Sequence, residues 1–161
     1  VDRLEFNEDG TIREVVQTTT GPAALPADAD SSQPAVRYDV ADATAGRGAT
    51  IDEDAAEGRA VHNLHVPGSF VDFRRVDGGE TGSRAYVEVA YAAEGNAKLR
   101  LKVNGADYSF LNAVSTGGWD DYSGRTGLTV PLKPGRSNRI QFLGGSGGVN
   151  IERLQVTRFA K

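Results

Sequence analysis

The clearest structural signal in the sequence is an eight-residue run in its second half, Lys98-Leu99-Arg100-Leu101-Lys102-Val103-Asn104-Gly105. Apolar and cationic side chains alternate along the first part of this run, which is typical of a β-strand with one face buried and the other in water. The dipeptide Asn-Gly that follows favours the positive φ angles of a tight hairpin turn. The run therefore predicts a β-hairpin whose second strand covers residues 106–111.

The same alternation recurs in short segments on both sides of the hairpin. Apolar residues occupy every second position, and turns that contain glycine or proline separate the segments. No stretch with the periodicity of an amphipathic helix lies between them, so the pattern indicates an all-β chain folded as a β-sandwich of the jelly-roll type. The segments concerned are residues 36–40, 71–73, 85–91, 128–132, 140–142 and 149–159.

Composition divides the chain into three parts. With 161 residues, 39% of them hydrophobic and 25% charged, the chain is long enough for one domain with a proper core. Residues 1–20 are read as a small hairpin, residues 21–34 as a linker stiffened by proline, and residues 35–161 as the compact module. Because the sequence starts at Val1 without a leader segment, we interpret it as a fragment of a longer, exported protein.

Charge and residue usage exclude several classes of function. A net charge of -4 does not provide the concentrated basic face that nucleic-acid binding requires. No apolar run approaches the ~20 residues of a membrane-spanning helix. The sequence has no cysteine, which removes disulfides, thiolate zinc sites and cysteine nucleophiles. We therefore expect neither a nucleic acid nor a membrane as a partner.

Motifs that could indicate catalysis or metal binding lack the context that such chemistry needs. Residues 144–148 match the G-x-S-x-G nucleophile pattern, but a strand rather than a helix is predicted to follow, so we interpret them as a loop between strands. His62 and His65 lack a third metal ligand nearby. The acidic segment at residues 52–57 is interpreted as a solvated loop, with a calcium site as the alternative. An enzyme in its own right is therefore not expected.

Trp119 is the only tryptophan and lies in a glycine-rich loop, Thr116-Gly117-Gly118-Trp119-Asp120. A single tryptophan is more often structural, but its small neighbours and the acids Asp120 and Asp121 suggest that this side chain is presented to a ligand. A flat indole can stack on the apolar face of a sugar ring while nearby polar groups fix the orientation of the ring. The loop therefore predicts a sugar-stacking role.

Glu152 is the most informative acidic residue of the last strand. It has the same parity along the strand as Leu154 and Val156, which are core candidates. A buried carboxylate needs a partner or a metal. Either Glu152 lies just beyond the edge of the sheet in water, or a cation holds it.

In their order and spacing, these segments resemble carbohydrate-binding modules of families 6 and 35. The resemblance covers about residues 36–159 and implies a jelly-roll sandwich that binds glycans in a loop cleft and carries a structural calcium ion. The pieces that carry it are residues 38–43, 61–64, 67–73, 82–91, 101–105, 116–120, 130–135, 138–140 and 148–152.

The resemblance also implies roles for individual residues of the cleft. In these families a tryptophan that matches Trp119 stacks on the sugar, and an asparagine that matches Asn150 hydrogen-bonds it. The second aromatic residue of the cleft falls on Ala60 in this sequence. His62 or Tyr122 would therefore have to contribute to the site.

The structural calcium of these families usually has acidic ligands in the opening strand and in the last strand. Asp39 and Glu152 match two of them, whereas a further one falls on Ala41, for which Asp42 or a backbone carbonyl could compensate. In some family 35 relatives a further calcium binds beside the stacking tryptophan and engages acidic sugars. Residues 120–121 occupy that place here.

Residues 1–20 are similar to the C-terminal end of family 43 glycoside hydrolases. Together the resemblances imply a non-catalytic, extracellular module that targets a parent glycoside hydrolase to plant polysaccharide containing arabinose, xylose or galactose, with uronic acids among the candidate ligands. The parent catalytic domain would be its partner in the same chain. The alternative is a structural spacer or protein-interaction domain on the same fold.

Overall fold

In a computed structural model, the protein is described over residues 34–54 and 58–159. The predicted hairpin at residues 1–20 and nearly all of the predicted linker at residues 21–34 lie outside the described residues. Within the described ranges no helix has the length and apolarity needed to cross a membrane. The elements are β1 (Val36–Asp39), a 3₁₀ helix (Val40–Asp42), β2 (Thr44–Gly46), β3 (Thr50–Asp54), β4 (Gly58–His62), β5 (Phe70–Val76), β6 (Ser83–Ala92), β7 (Ala97–Val103), β8 (Ala106–Ala113), β9 (Gly124–Leu132), β10 (Asn138–Gly144) and β11 (Asn150–Arg158).

The strands form two antiparallel sheets that enclose one apolar core. A six-stranded sheet, called here the β11 sheet, has the order β3-β4-β11-β6-β9, with β1 also paired to β11. A five-stranded sheet, called here the β7 sheet, has the order β2-β5-β10-β7-β8. Inward-facing residues of both sheets pack together, among them Phe142, Leu101 and Leu154, which are fully buried. The prediction of an all-β sandwich is confirmed.

The predicted hairpin is formed by β7 and β8. Leu99 and Leu101 are fully buried, whereas Lys98 and Arg100 are exposed, as the alternation predicts. The turn residues Asn104 and Gly105 have φ angles of 52° and 87°, the left-handed conformation that asparagine and glycine tolerate best. The second strand runs to Ala113, slightly beyond the predicted end at residue 111.

A β-bulge in β11 changes the direction of Glu152. Opposite β6, Ile151 pairs with Tyr91, whereas Arg153 pairs with Ala90, so Glu152 is the extra residue. The parity argument that grouped Glu152 with Leu154 therefore does not apply across this point, because the two-residue periodicity is interrupted. Glu152 is nevertheless buried.

Two connections between the sheets meet at one end of the sandwich. Residues 114–123, called here the Trp loop, join β8 to β9, and residues 144–148, called here the glycine segment, lead from β10 towards β11. A strand and not a helix follows the glycine segment, so the residues of the G-x-S-x-G pattern lie in a link between strands. The contact between Trp119 and Gly148 brings these two connections together.

Candidate functional site

The indole of Trp119 lies against the backbone of the glycine segment. A Cβ atom built on Gly148 would come within 2.5 Å of Cη2 of the indole, well inside van der Waals contact. Only glycine therefore allows the ring to lie where it does. Trp119 is still 40% exposed, so part of the indole is supported by protein and part is open to a ligand.

The Trp loop is tied to the end of β6 by several hydrogen bonds. The Thr116 amide donates to the Ala93 carbonyl at 2.8 Å, and the Thr116 hydroxyl accepts from the Ala93 amide at 3.0 Å. The Tyr91 hydroxyl donates to the carbonyl of Val114 at 3.0 Å. Gly118 also forms a bridge with Ala93. The loop thus holds the indole in place before any ligand arrives, which lowers the entropic cost of binding.

Asn150 connects the Trp loop to the β11 sheet. Its side-chain amide donates to the Trp119 carbonyl at 3.3 Å, and its backbone pairs with Ala92 of β6. On the other side of β11, Ile151 pairs with Val61, which places Asn150 opposite His62 of β4. The register therefore brings three predicted site residues, Trp119, Asn150 and His62, to one end of one sheet.

His62 has a buried imidazole nitrogen. Within the part of the chain that the structure describes, its Nε2 atom has no hydrogen-bond partner. Most buried polar atoms in folded proteins are hydrogen-bonded, so this nitrogen is a candidate for contact with a ligand or a water molecule. His65 lies beyond the end of β4 and is exposed. Nothing in the geometry makes the two histidines a metal pair.

Tyr122 packs against Ala60, where the resemblance implies an aromatic side chain. Tyr122, Ala60 and Ala92 form a small buried cluster of their own. The carbonyl of Tyr122 accepts a hydrogen bond from the Arg125 guanidinium at 2.6 Å. Since Tyr122 is only 6% exposed, it offers a sugar little ring area, and its predicted contact with a ligand stays a prediction.

Asp120 and Asp121 are exposed on the Trp loop. The Asp121 carboxylate accepts a hydrogen bond from the Ser123 amide at 3.0 Å, which closes a turn. Hydrogen bonds from the Ser123 side chain and backbone hold the pKa of the Asp121 carboxyl below its usual value. The contacts that the sequence predicts for Asp120 and Asp121, with a sugar or with a second calcium ion, stay predictions.

The residues predicted to hold the structural calcium are not brought together as a ligand set. Asp39 and Asp42 are exposed, and Ala41 carries no oxygen ligand in its side chain. Among the side chains described, those of residues 34–52 and 58–159, no group of three or more His, Cys, Asp or Glu could hold a metal ion. Calcium takes six to eight oxygen ligands, so the side chains described here do not fit it. The calcium ion stays a prediction. In the structure, the partners of Glu152 are the side chains of Arg37 and Arg153.

Some features of the site could not be found by sequence reasoning. The support that Gly148 gives to Trp119 depends on two distant loops meeting, although the run of glycines was a signal that no side chain is tolerated there. Arg37 and Arg153 lie beside Glu152, and the adjacency of Arg153 in the sequence was an available clue. The acidic segment at residues 52–57 is expected from the sequence to be a loop, but its first three residues belong to β3; Asp52 is exposed, as expected, and accepts a hydrogen bond from Thr50.

No family model and no curated protein sequence matches this chain. Solved structures match its fold, and among them are the β-sandwiches of family 35 and family 6 carbohydrate-binding modules. A family 35 module from Clostridium thermocellum superposes with a TM-score of 0.66 at 25% identity, over 78% of this chain and 98% of that one. A family 6 module from Clostridium stercorarium, solved with cellobiose, gives 0.63 at 18% identity, over 76% of this chain and 93% of that one.

Longer chains contain the same fold as one of their parts. An exo-β-1,3-galactanase from Phanerochaete chrysosporium, solved with galactose, superposes with a TM-score of 0.64 at 20% identity. The match covers 76% of this chain but only 29% of the galactanase. The present chain thus spans less than a third of that protein's length.

Proposed function

We propose that this protein is a non-catalytic carbohydrate-binding module that holds a parent glycoside hydrolase on plant polysaccharide containing arabinose, xylose or galactose. The observation that supports the proposal is the position of the Trp119 side chain. Its indole rests on the Gly148 backbone and stays partly exposed, Asn150 donates a hydrogen bond to its backbone carbonyl, and the strand register places His62 opposite Asn150. A supported aromatic face next to a few hydrogen-bonding groups is what sugar recognition requires.

Similar solved structures support the class of ligand and the kind of parent. Two of them are described as carbohydrate-binding modules, one of which was solved with cellobiose. Another is a galactanase in which a matching part accounts for 29% of the chain. An extracellular location follows from this proposal, because a plant polysaccharide is reached only outside the cell.

The carboxylates nearest Trp119 favour binding over turnover. Asp120 and Asp121 are neighbours on one exposed loop, whereas glycoside hydrolysis usually needs two carboxyl groups about 5–10 Å apart on either side of the scissile bond. One stacked sugar with a few hydrogen bonds should give dissociation constants of ~10 μM to millimolar. Such weak binding is still effective in a tethered module, because it raises the local concentration of the enzyme on its substrate.

A glycan array followed by affinity electrophoresis tests the proposal. We expect the wild type to bind plant glycans without releasing sugar, and Trp119→Ala to lose binding while it keeps its melting temperature within a few degrees. A core tryptophan would instead cost ~3–5 kcal/mol on truncation. Phe110→Ala is the matched control, because Phe110 is 61% exposed and lies on β8, outside the cleft.

Three results would contradict the proposal. Release of reducing sugar by the wild type would make the protein an enzyme. No binding to any plant glycan would favour a spacer or protein-interaction domain, a reading consistent with the buried position of Tyr122 and the alanine at position 60. Equal loss of binding in Trp119→Ala and Phe110→Ala would show that the cleft is not the site.

A further inference from the structure

Glu152 is a buried carboxylate at the point where β1, β4 and β11 meet. It is the extra residue of the bulge in β11, and its side chain is 3% exposed. β1 pairs with β11 immediately after this position, from Arg153 onwards, while β4 pairs with it immediately before, at Ile151. Burying a charged group at such a junction is unfavourable unless a partner of opposite charge compensates it.

Two arginines provide that compensation. Nη1 of Arg153 contacts both carboxylate oxygens of Glu152, and Nη2 of Arg37 lies 3.3 Å from one of them. Arg37 also approaches the Asp39 carboxylate at 3.4 Å. The four side chains form a chain of alternating charge that links the opening strand to the last strand. The Arg153 side chain is itself only 20% exposed, so its charge in turn depends on Glu152.

The two carboxylates in this chain of charges, Asp39 and Glu152, are two of the three that the sequence predicts as calcium ligands, the third being Asp42. A calcium ion would have to displace the guanidinium groups from Glu152 and Asp39, and it would leave Arg153 largely buried without its partner. It would also have to complete its coordination without a carboxylate at position 41, which is alanine.

We propose that the guanidinium groups of Arg153 and Arg37 replace calcium as the cation that neutralises Glu152, so that the folded module requires no metal ion. Arg37, on β1, reaches Glu152 on β11 and so joins the same two strands that a structural ion would join, while Arg153 neutralises Glu152 from within β11. Because they belong to the chain, their effective concentration does not depend on the calcium level of the surroundings.

Thermal unfolding with and without a chelator tests the proposal directly. We expect the wild type, dialysed against EDTA, to melt at the same temperature as protein in millimolar calcium. We expect metal analysis of the purified protein to find no stoichiometric calcium, and calorimetric titration of calcium into the dialysed protein to give no binding heat. An ion held only by the folded state would instead raise the melting temperature by several degrees.

Variants of the pair test the role of the arginine. Arg153→Met should lower the melting temperature by about 5–10 °C, because it leaves Glu152 buried with a single, half-exposed partner. Arg153→Lys should lower the melting temperature by less than Arg153→Met does. The double variant Glu152→Met, Arg153→Met should recover much of the loss, since two well-packed apolar side chains can replace a buried ion pair. Arg136→Met, at an exposed position, is the control.

These measurements decide whether arginine or calcium neutralises Glu152. A fall in the wild-type melting temperature on chelation, together with bound calcium, overturns the proposal. So does an Arg153→Met variant that melts like the wild type. If Arg153→Met fails to fold, the chelation and metal measurements on the wild type still decide the question.

Discussion

Gly148→Ala tests the contact between the Trp119 indole and the backbone at Gly148, because it adds a single methyl group at that contact. The φ angle of Gly148 is not in the left-handed region, so alanine is compatible with the backbone there. The new Cβ would lie 2.5 Å from the Trp119 ring, whereas carbon atoms in contact are about 3.5–4.0 Å apart. The ring must therefore move by about 1 Å or more to relieve the contact.

The expected effect on binding exceeds the effect on stability. A displaced indole loses its alignment with the sugar, and aromatic stacking is worth about 0.5–1.5 kcal/mol, so affinity should fall roughly 3- to 10-fold. Forcing Trp119 off its preferred rotamer costs about 0.5–1.5 kcal/mol of stability. Replacing glycine at a compatible φ returns about 0.4–1 kcal/mol through the unfolded state, so the net change in stability should be close to zero.

Intrinsic fluorescence makes the prediction testable even without a known glycan. Trp119 is the only tryptophan, so the emission spectrum reports on this ring without interference from another indole. Gly148→Ala should shift the emission maximum and weaken glycan binding, while Gly95→Ala should change neither, because a Cβ at Gly95 meets no atom within 4 Å. Unchanged emission and affinity in Gly148→Ala would refute the assigned contact between ring and glycine segment.

Two further substitutions probe the cleft and the hairpin. Asn150→Ala should weaken glycan binding by about 1–3 kcal/mol, because a polar group of the site no longer pairs with its ligand. Calorimetry measures this loss, and Asn112→Ala, at an exposed position of β8, is the control that should bind like the wild type. Gly105→Ala should lower the free energy of unfolding in urea by about 1–2 kcal/mol, because the φ angle of 87° at position 105 is unfavourable for a residue with a side chain. A urea transition midpoint equal to that of Gly95→Ala would contradict this explanation.

Sequence reasoning succeeded where a local rule operates without interruption. The alternation along β7 and the Asn104-Gly105 turn are both fixed by neighbouring residues, and the structure reproduces them. The same reasoning failed at Glu152, because a bulge is set by how β11 packs between its neighbours and leaves no mark in the periodicity. It also could not show that Tyr122 would be buried beside Ala60, since this contact joins residues far apart in the chain.

The glycine segment has a consequence for how sugar preference can change among related modules. A Cβ at Gly144 or Gly145 would meet the backbone carbonyl of Leu64 or Lys98 within 2.4 Å, and one at Gly148 would meet the indole. Most of the glycine segment therefore cannot acquire a side chain without moving the fold. If the module binds sugar as proposed, a change of preference must come from the Trp loop and from the end of β4, so the backbone fixes one side of the proposed site and substitution can alter the other.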